Sequence, residues 1–198
     1  MIKVILFDLG GVLAELRGEA HMLSLLDGRM DRAEMWRHWG ESPAVRAHET
    51  GQMSAEEFAK NIVAELALTI SADEFLRGFR DWIVGPYAET PALIRDVAAR
   101  HTTALLTNTS ALHWPMIEAL GVLPHMHHVI ASYQIGKIKP DRDFFDAALQ
   151  RVNALPHETI FFDDSAVNVA AAQALGIEAH RVEGAANVRR VLIQRGLL

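Results

Sequence analysis

The chain contains no cysteine. Disulfides, thiolate zinc sites and a cysteine nucleophile are therefore excluded. It has no basic excess either: 19 Lys and Arg stand against 25 Asp and Glu, a formal net charge of −6. Proteins that grip nucleic acid carry a basic patch or stripe. None is visible, so no nucleic-acid partner is expected and any affinity for anions must be local. No stretch approaches the roughly 20 apolar residues of a membrane span. The apolar amino terminus is broken by Lys3 and Asp8, which spoils a secretory signal. The expectation is a cytoplasmic protein with no membrane partner. Internal repeats and low-complexity tracts are also missing. What is present is 198 residues, half of them apolar, ample for one core with room for a small second module.

The most informative position is Asp8. It ends the apolar run Val4-Ile5-Leu6-Phe7 and is followed by Leu9-Gly10-Gly11-Val12-Leu13. Open α/β sheets bind ligands at the carboxyl edge of their strands. An Asp there can serve as nucleophile or metal ligand, and glycines let the backbone approach a bound group closely.

The run from Ile2 to Leu9 reads as a first buried strand. From 15 to 85 the pattern changes. Apolar residues recur at helical spacing, no convincing strand appears, and about four helices are expected. Ser54 and Ser71 each precede a glutamate by three residues, as in a capping box. After Gly85-Pro86, helices alternate with strands. Strands are expected at Thr103–Thr107, Val129–Ser132, Thr159–Asp163 and Ile177–Val182. Helices are expected over Thr90 to His101, Ser110–Leu120, Asp141–Val152, Ser165–Leu175 and Ala186–Arg195. This alternation predicts an α/β fold, a doubly wound parallel sheet covered on both faces. Residues 1–14 and 86–198 would form the core and residues 15–85 an inserted helical cap, emerging beside Asp8 and placed to act as a lid.

Parallel strands bring their carboxyl ends together. Asp8, Thr107-Asn108 and Asp163-Asp164 each terminate a predicted strand, and Lys139 lies just before a predicted helix, so one crevice can hold them all. Clustered carboxylates repel a phosphate unless a cation intervenes. Mg²⁺ suits such a site, since it takes one or two carboxylates together with phosphate oxygens. Lys139 would balance charge on a transferring phosphoryl group. Thr107 offers a hydroxyl, and the backbone N–H groups after Leu9 and after Thr107 offer more donors. Asp8 could then attack phosphorus and form an aspartyl-phosphate that water hydrolyses.

Asp8-Leu9-Gly10-Gly11-Val12, Leu106-Thr107-Asn108, Gly136-Lys137-Ile138-Lys139-Pro140 and Phe162-Asp163-Asp164-Ser165 resemble, in order, the four motifs of the haloacid dehalogenase-like (HAD) hydrolase superfamily. The helical insert resembles that superfamily's small helical cap, and Asn168, Ala171 and Gly176 match positions usual in the capped variant. The resemblance implies a Rossmann-like core and a Mg²⁺-dependent phosphatase acting on a small phosphorylated metabolite, a sugar phosphate among the options. It makes Asp8 the nucleophile and a metal ligand. Gly10, Gly11, Thr107, Asn108 and Lys139 would surround the phosphoryl group. Asp164 and the Gly10 backbone carbonyl would join Asp8 on the metal, with Asp163 supporting or ligating.

One position departs from the pattern. Most phosphatases of the superfamily place a second Asp two residues after the nucleophile, where it acts as general acid and base. Here that residue is Gly10, which keeps the carbonyl and loses the carboxylate. Such assistance is worth about 10²–10⁴-fold. Either the enzyme favours activated phosphoesters, or a residue of the insert substitutes, with Glu15, His21, His48 and Glu49 as candidates. Two other functions compete. A metal-independent haloacid dehalogenase also lacks the second Asp, but Asp163-Asp164 and the want of an arginine nearer than Arg17 speak against it. A catalytically weak metabolite-binding or regulatory module would have little need for the nucleophile.

Other features receive plain readings. Lys137 reads as a surface lysine. His125-Met126-His127-His128 lacks partners at metal-ligand spacing and reads as a solvated turn. Trp36, Trp39 and Trp82 read as apolar filling of the insert, with Trp39 the one that could face the crevice beside Arg46 or His48.

Overall fold

The computed structural model describes all 198 residues. Five parallel strands form the central sheet: β1 (Val4–Phe7), β4 (Thr102–Thr107), β5 (His128–Ala131), β6 (Thr159–Asp163) and β7 (Glu178–Arg181), in the order β5-β4-β1-β6-β7. The predicted parallel α/β sheet is thus present. Strand β1 sits at its centre, with Phe7 in register with Leu105 of β4 and Phe162 of β6. The carboxyl ends of these three strands therefore finish at one level.

Period-two geometry sends alternate side chains of β1 to opposite faces. Ile5 and Phe7 join Leu105, Ile160 and Phe162 in a layer packed against α6 (Thr90–Ala98) and α11 (Ala185–Gln194). Val4 and Leu6 join Ala104, Leu106 and Phe161 against α9 (Arg142–Val152) and α10 (Ala166–Ala174). Full burial of one such phenylalanine or leucine is worth about 1.5–3 kcal/mol. Two apolar layers explain why the strands read as unbroken apolar runs, and they hold the carboxyl edge rigid.

Between β1 and α6 lie five helices: α1 (Gly18–Leu26), α2 (Arg32–Glu41), α3 (Pro43–Glu49), α4 (Ala55–Glu65) and α5 (Ala72–Arg80). They share an apolar cluster of their own around Met22, Phe58, Phe75, Phe79 and Trp82. Ser54 caps α4 with a full capping box, whereas Ser71 caps α5 through its hydroxyl alone. Asp31 and Glu34 form a second complete box at α2.

Three expectations need correction. The segment 15–85 is not strand-free: β2 (Ala14–Leu16) and β3 (Ile83–Pro86) pair antiparallel at the root of the insert, with a bulge between Glu15 and Leu16. A strand of three residues is too short to show alternation, and this pairing is made by tertiary contact. The helix expected over Ser110–Leu120 is only α7 (Trp114–Ala119). Pro115 fits a first helical turn and would remove a hydrogen bond from the second. Ser132 leaves the strand and opens the short α8 (Ser132–Ile135).

Candidate active site

Lys139 is the hub of the carboxyl edge. Its Nζ donates to Asp8 Oδ1 at 2.7 Å, to Asp163 Oδ2 at 2.7 Å and to the Leu106 carbonyl at 3.0 Å. All three ammonium protons are used, and the side chain is 1 % exposed. Asn108 fixes the lysine backbone: Lys139 N–H donates to Asn108 Oδ1 and Asn108 Nδ2 donates to the Lys139 carbonyl.

Asp163 is fully buried and heavily bonded. Besides Lys139 it accepts from Ser165 N–H at 2.8 Å and from Asn168 Nδ2 at 3.1 Å on both oxygens. Asp164 is more open, and no other residue donates a hydrogen bond to its carboxylate. One oxygen each from Asp8, Asp163 and Asp164 lies within 4.8 Å of the others. Gly11 makes this possible. It has φ +69°, and a Cβ there would fall 2.4 Å from Asp164 Oδ2. An L side chain is doubly disfavoured, by conformation and by the carboxylate.

Three carboxylates around one ammonium leave excess negative charge when all are ionised. Burial pushes Asp8 up to about 7; Asp163 and Asp164 add to that, while Lys139 opposes it. Burial, then Asp163, pushes Asp164 up to about 6. Burial works against the Lys139 charge, but Asp163 and Asp8 outweigh it and hold the ammonium above its ordinary value.

Donors remain for an anion. The backbone N–H groups of Leu9, Gly10 and Asn108 make no hydrogen bond within the chain, and the Gly10 carbonyl accepts none. The Thr107 hydroxyl is buried and makes only a long 3.4 Å contact with the Asn108 carbonyl. Gly11, in contrast, spends its N–H on the Ala14 carbonyl, so its contribution is space for Asp164. The Asn108 side chain is likewise committed to Lys139, leaving only its backbone N–H.

A side chain at position 10 would have to displace the tip of the exposed Leu16 side chain. A Cβ on Gly10 would meet Leu16 Cδ1 at 2.5 Å. Among the candidate substitutes for a missing acid, His21 is held in the insert, accepting from Trp82 Nε1 at 3.0 Å. His48 is buried, stacked on Phe58 at 4.3 Å with Nδ1 bonded to the Met53 carbonyl. Glu15 is exposed on β2. Glu49 is half-buried at the end of α3, and the Lys139 charge favours its ionised form.

The other sequence candidates lie elsewhere. Trp39 packs among Phe58, Phe79 and Trp82 in the insert. Trp36 is a correction, being exposed and bonded to Glu19. Arg46 pairs with Asp141, tying insert to core. His127 is bonded to Thr103. Sequence reasoning missed two positioning contacts, the Leu106 carbonyl on Lys139 and the Ser132 hydroxyl, which clasps the Thr109 backbone at 2.9 Å. The only available signal was a hydroxyl residue at a strand end.

A family model described as haloacid dehalogenase-like hydrolase matches residues 2–176. The chain is 26% identical over 200 residues to a D-ribitol-5-phosphate phosphatase of Bacteroides thetaiotaomicron, covering 97% of each. It is 27% identical over 187 residues to a sesquiterpene phosphatase of Aspergillus oryzae, covering 88% of this chain and 87% of the other. A solved HAD family enzyme of Bacteroides thetaiotaomicron, in complex with magnesium and inorganic phosphate, superposes with a TM-score of 0.71 at 24% identity, covering 91% of this chain and 94% of that one.

Proposed function

Because this chain belongs to the haloacid dehalogenase-like hydrolase family, we propose that it is a Mg²⁺-dependent phosphatase that cleaves a small phosphorylated metabolite, of the sugar or alditol phosphate class, through an aspartyl-phosphate on Asp8. The observation that carries this reading is Lys139, bonded at 2.7 Å to both Asp8 and Asp163 at the edge where three strands end. The relatives named as phosphatases support the reaction class, and the alditol phosphate in one of those names supports the substrate class.

The residues fit a divalent cation. Asp8, Asp164 and the unpaired Gly10 carbonyl offer oxygens, with Asp163 behind them held by Asn168 and Ser165. Bound there, the cation supplies positive charge for the phosphoryl oxygens and offsets the excess carboxylate charge. Lys139 holds Asp8 Oδ1 and leaves its second oxygen to attack phosphorus. The N–H groups of Leu9, Gly10 and Asn108 and the Thr107 hydroxyl receive the phosphoryl oxygens. Hydrolytic dehalogenation would need a cation beside Asp8 to hold the substrate carboxylate. Lys139 is already saturated, and Arg17 is exposed at the root of the insert.

A panel of phosphate monoesters assayed with Mg²⁺ and with chelator tests the reading. Turnover of sugar or alditol phosphates that vanishes on chelation is expected. Chloride release from 2-chloropropionate without Mg²⁺, and no phosphate release, would replace it.

Metal binding is expected to depend on pH with a defined sign. Asp8 and Asp164 bind protons up to about pH 7 and 6 respectively. Protons therefore compete with the cation as pH falls, and weakening on the order of 10- to 100-fold is expected between about pH 7.5 and 5.5. The same shifts govern the metal-free chain. Its folded state holds more protons than the unfolded state between the ordinary carboxylate range and about pH 7, so its stability falls as pH rises through that window. Calorimetric titration with Mg²⁺ at both pH values checks the claim. Affinity unchanged between them would contradict it.

A further inference from the structure

Position 10 lacks the carboxylate that proton transfer requires, and Leu16 Cδ1 lies 2.5 Å from where its Cβ would be. We propose that Glu49, carried on the insert, is the general acid and base of the reaction, supplying the carboxyl group that position 10 lacks; this role rests on the phosphatase reading.

Contacts within the insert shape the end of α3, and two contacts rest it on the core. It is the last residue of α3, whose start is capped by Ser42. The preceding His48 is stacked on Phe58 with ring planes 9° apart. The following Thr50 closes the helix with its hydroxyl on the Arg46 carbonyl at 2.7 Å. Gly51 lies so close to the core that a Cβ would meet the Tyr133 carbonyl oxygen at 2.8 Å. Arg46, one turn earlier, pairs with Asp141. Tyr133 and Asp141 flank the segment that carries Lys139, so the end of α3 is pinned over that segment from both sides.

The Glu49 carboxylate is left unused by the fold. It makes no ion pair, and no side-chain hydrogen bond engages it, whereas Asp141 is paired with Arg46 of the same helix. The Lys139 charge favours its ionised form. Burial pushes Glu49 up to about 7, against the pull of that lysine. A carboxyl group with a pKa near the working pH both gives and takes a proton readily.

The chemistry balances. As the free oxygen of Asp8 bonds to phosphorus, the bond from phosphorus to the ester oxygen breaks, and Glu49 gives its proton to that oxygen, releasing an alcohol. Glu49, now a carboxylate, takes a proton from water as the water oxygen attacks the aspartyl-phosphate. The bond from phosphorus to Asp8 breaks, inorganic phosphate leaves, and both carboxyl groups return to their starting states.

The test compares wild type with Glu49→Gln on glycerol phosphate, which has a poor leaving group, and on acetyl phosphate, which has a good one, both with Mg²⁺. For glycerol phosphate kcat/KM should fall about 10²–10⁴-fold. For acetyl phosphate kcat/KM should stay within about threefold, since its leaving group needs no proton. Its kcat should nevertheless fall, and phosphorylated protein should accumulate on acid quench, because hydrolysis of the intermediate has lost its base. Adding Gly10→Asp together with Leu16→Ala, which opens the space at position 10, should restore part of the glycerol phosphate activity. Equal losses of kcat/KM on both substrates indicate a merely structural role and overturn the assignment, as does an unchanged variant. A wild-type chain inert towards both substrates sinks the phosphatase reading, and this role with it.

Discussion

Lys139→Met is expected to lower stability at about pH 8 by about 3–5 kcal/mol, because removing one member of a buried ionic cluster leaves the other charges uncompensated. The lysine is 1 % exposed, and Asp163, one of its two partners, is fully buried. Methionine fills the volume of the side chain and restores none of its charge. In a chain of this size the loss corresponds to a fall in Tm of roughly 6–20 °C. The deficit should shrink in acid. Asp8 already lies at about 7 with Lys139 in place, and loss of the ammonium raises it further. An acid whose folded pKa exceeds its unfolded value takes up protons on folding, so its contribution to stability recovers as pH falls. Urea denaturation of both proteins in chelator, at about pH 8 and pH 5.5, measures this directly. A deficit below about 1 kcal/mol at the higher pH, or one that does not change between the two, would show that Lys139, Asp8 and Asp163 do not act as a buried ionic unit.

Asp8→Asn is expected to remove turnover almost entirely, by at least about 10⁴-fold, as loss of a covalent nucleophile does. The fold should survive. Asparagine keeps the shape, and Lys139 keeps Asp163 and the Leu106 carbonyl. One of three clustered carboxylates is gone, so the metal-free variant should be at least as stable as wild type at neutral pH, where Asp8 and Asp164 are both held above their ordinary range. This direction separates the variant from Lys139→Met: one loses activity and keeps stability, the other loses both. Acid-quenched wild type, mixed briefly with labelled substrate, should carry a phosphoryl group that Asp8→Asn lacks. A variant that retains a tenth of wild-type activity, or that still becomes labelled, would remove Asp8 from the nucleophile's place.

The parts of the fold that were legible in the chain are those encoded over a few residues. Phe161 and Phe162 announced a strand buried on both faces because they face different apolar layers of the sheet. Ser54 announced the start of α4 because cap and partner stand three residues apart. Illegible features depend on contacts made far along the chain. Strands β2 and β3 pair residues about seventy positions apart, and neither is long enough to carry a pattern. Asn108 was expected beside the phosphoryl group; its backbone N–H is free for that, and its side chain has a further task that the sequence did not show, bracing the Lys139 backbone. Gly11 looked like a phosphate contact and instead makes room for Asp164.

The amino-acid sequence by itself determined which residues stand at the sheet edge. A strand fixes where its last residue lies, and parallel pairing brings Asp8, Thr107 and Asp163 to one level whatever else the chain does. The tertiary structure alone decided that His21 and His48 are packed inside the insert, that Glu15 is exposed, and that the end of α3, which carries Glu49, rests on the segment before Lys139. No short pattern distinguishes them. The choice depends on where residues 15–85 come to rest, through Arg46 on Asp141 and Gly51 on Tyr133, and contacts between distant segments leave no periodicity in the sequence that makes them.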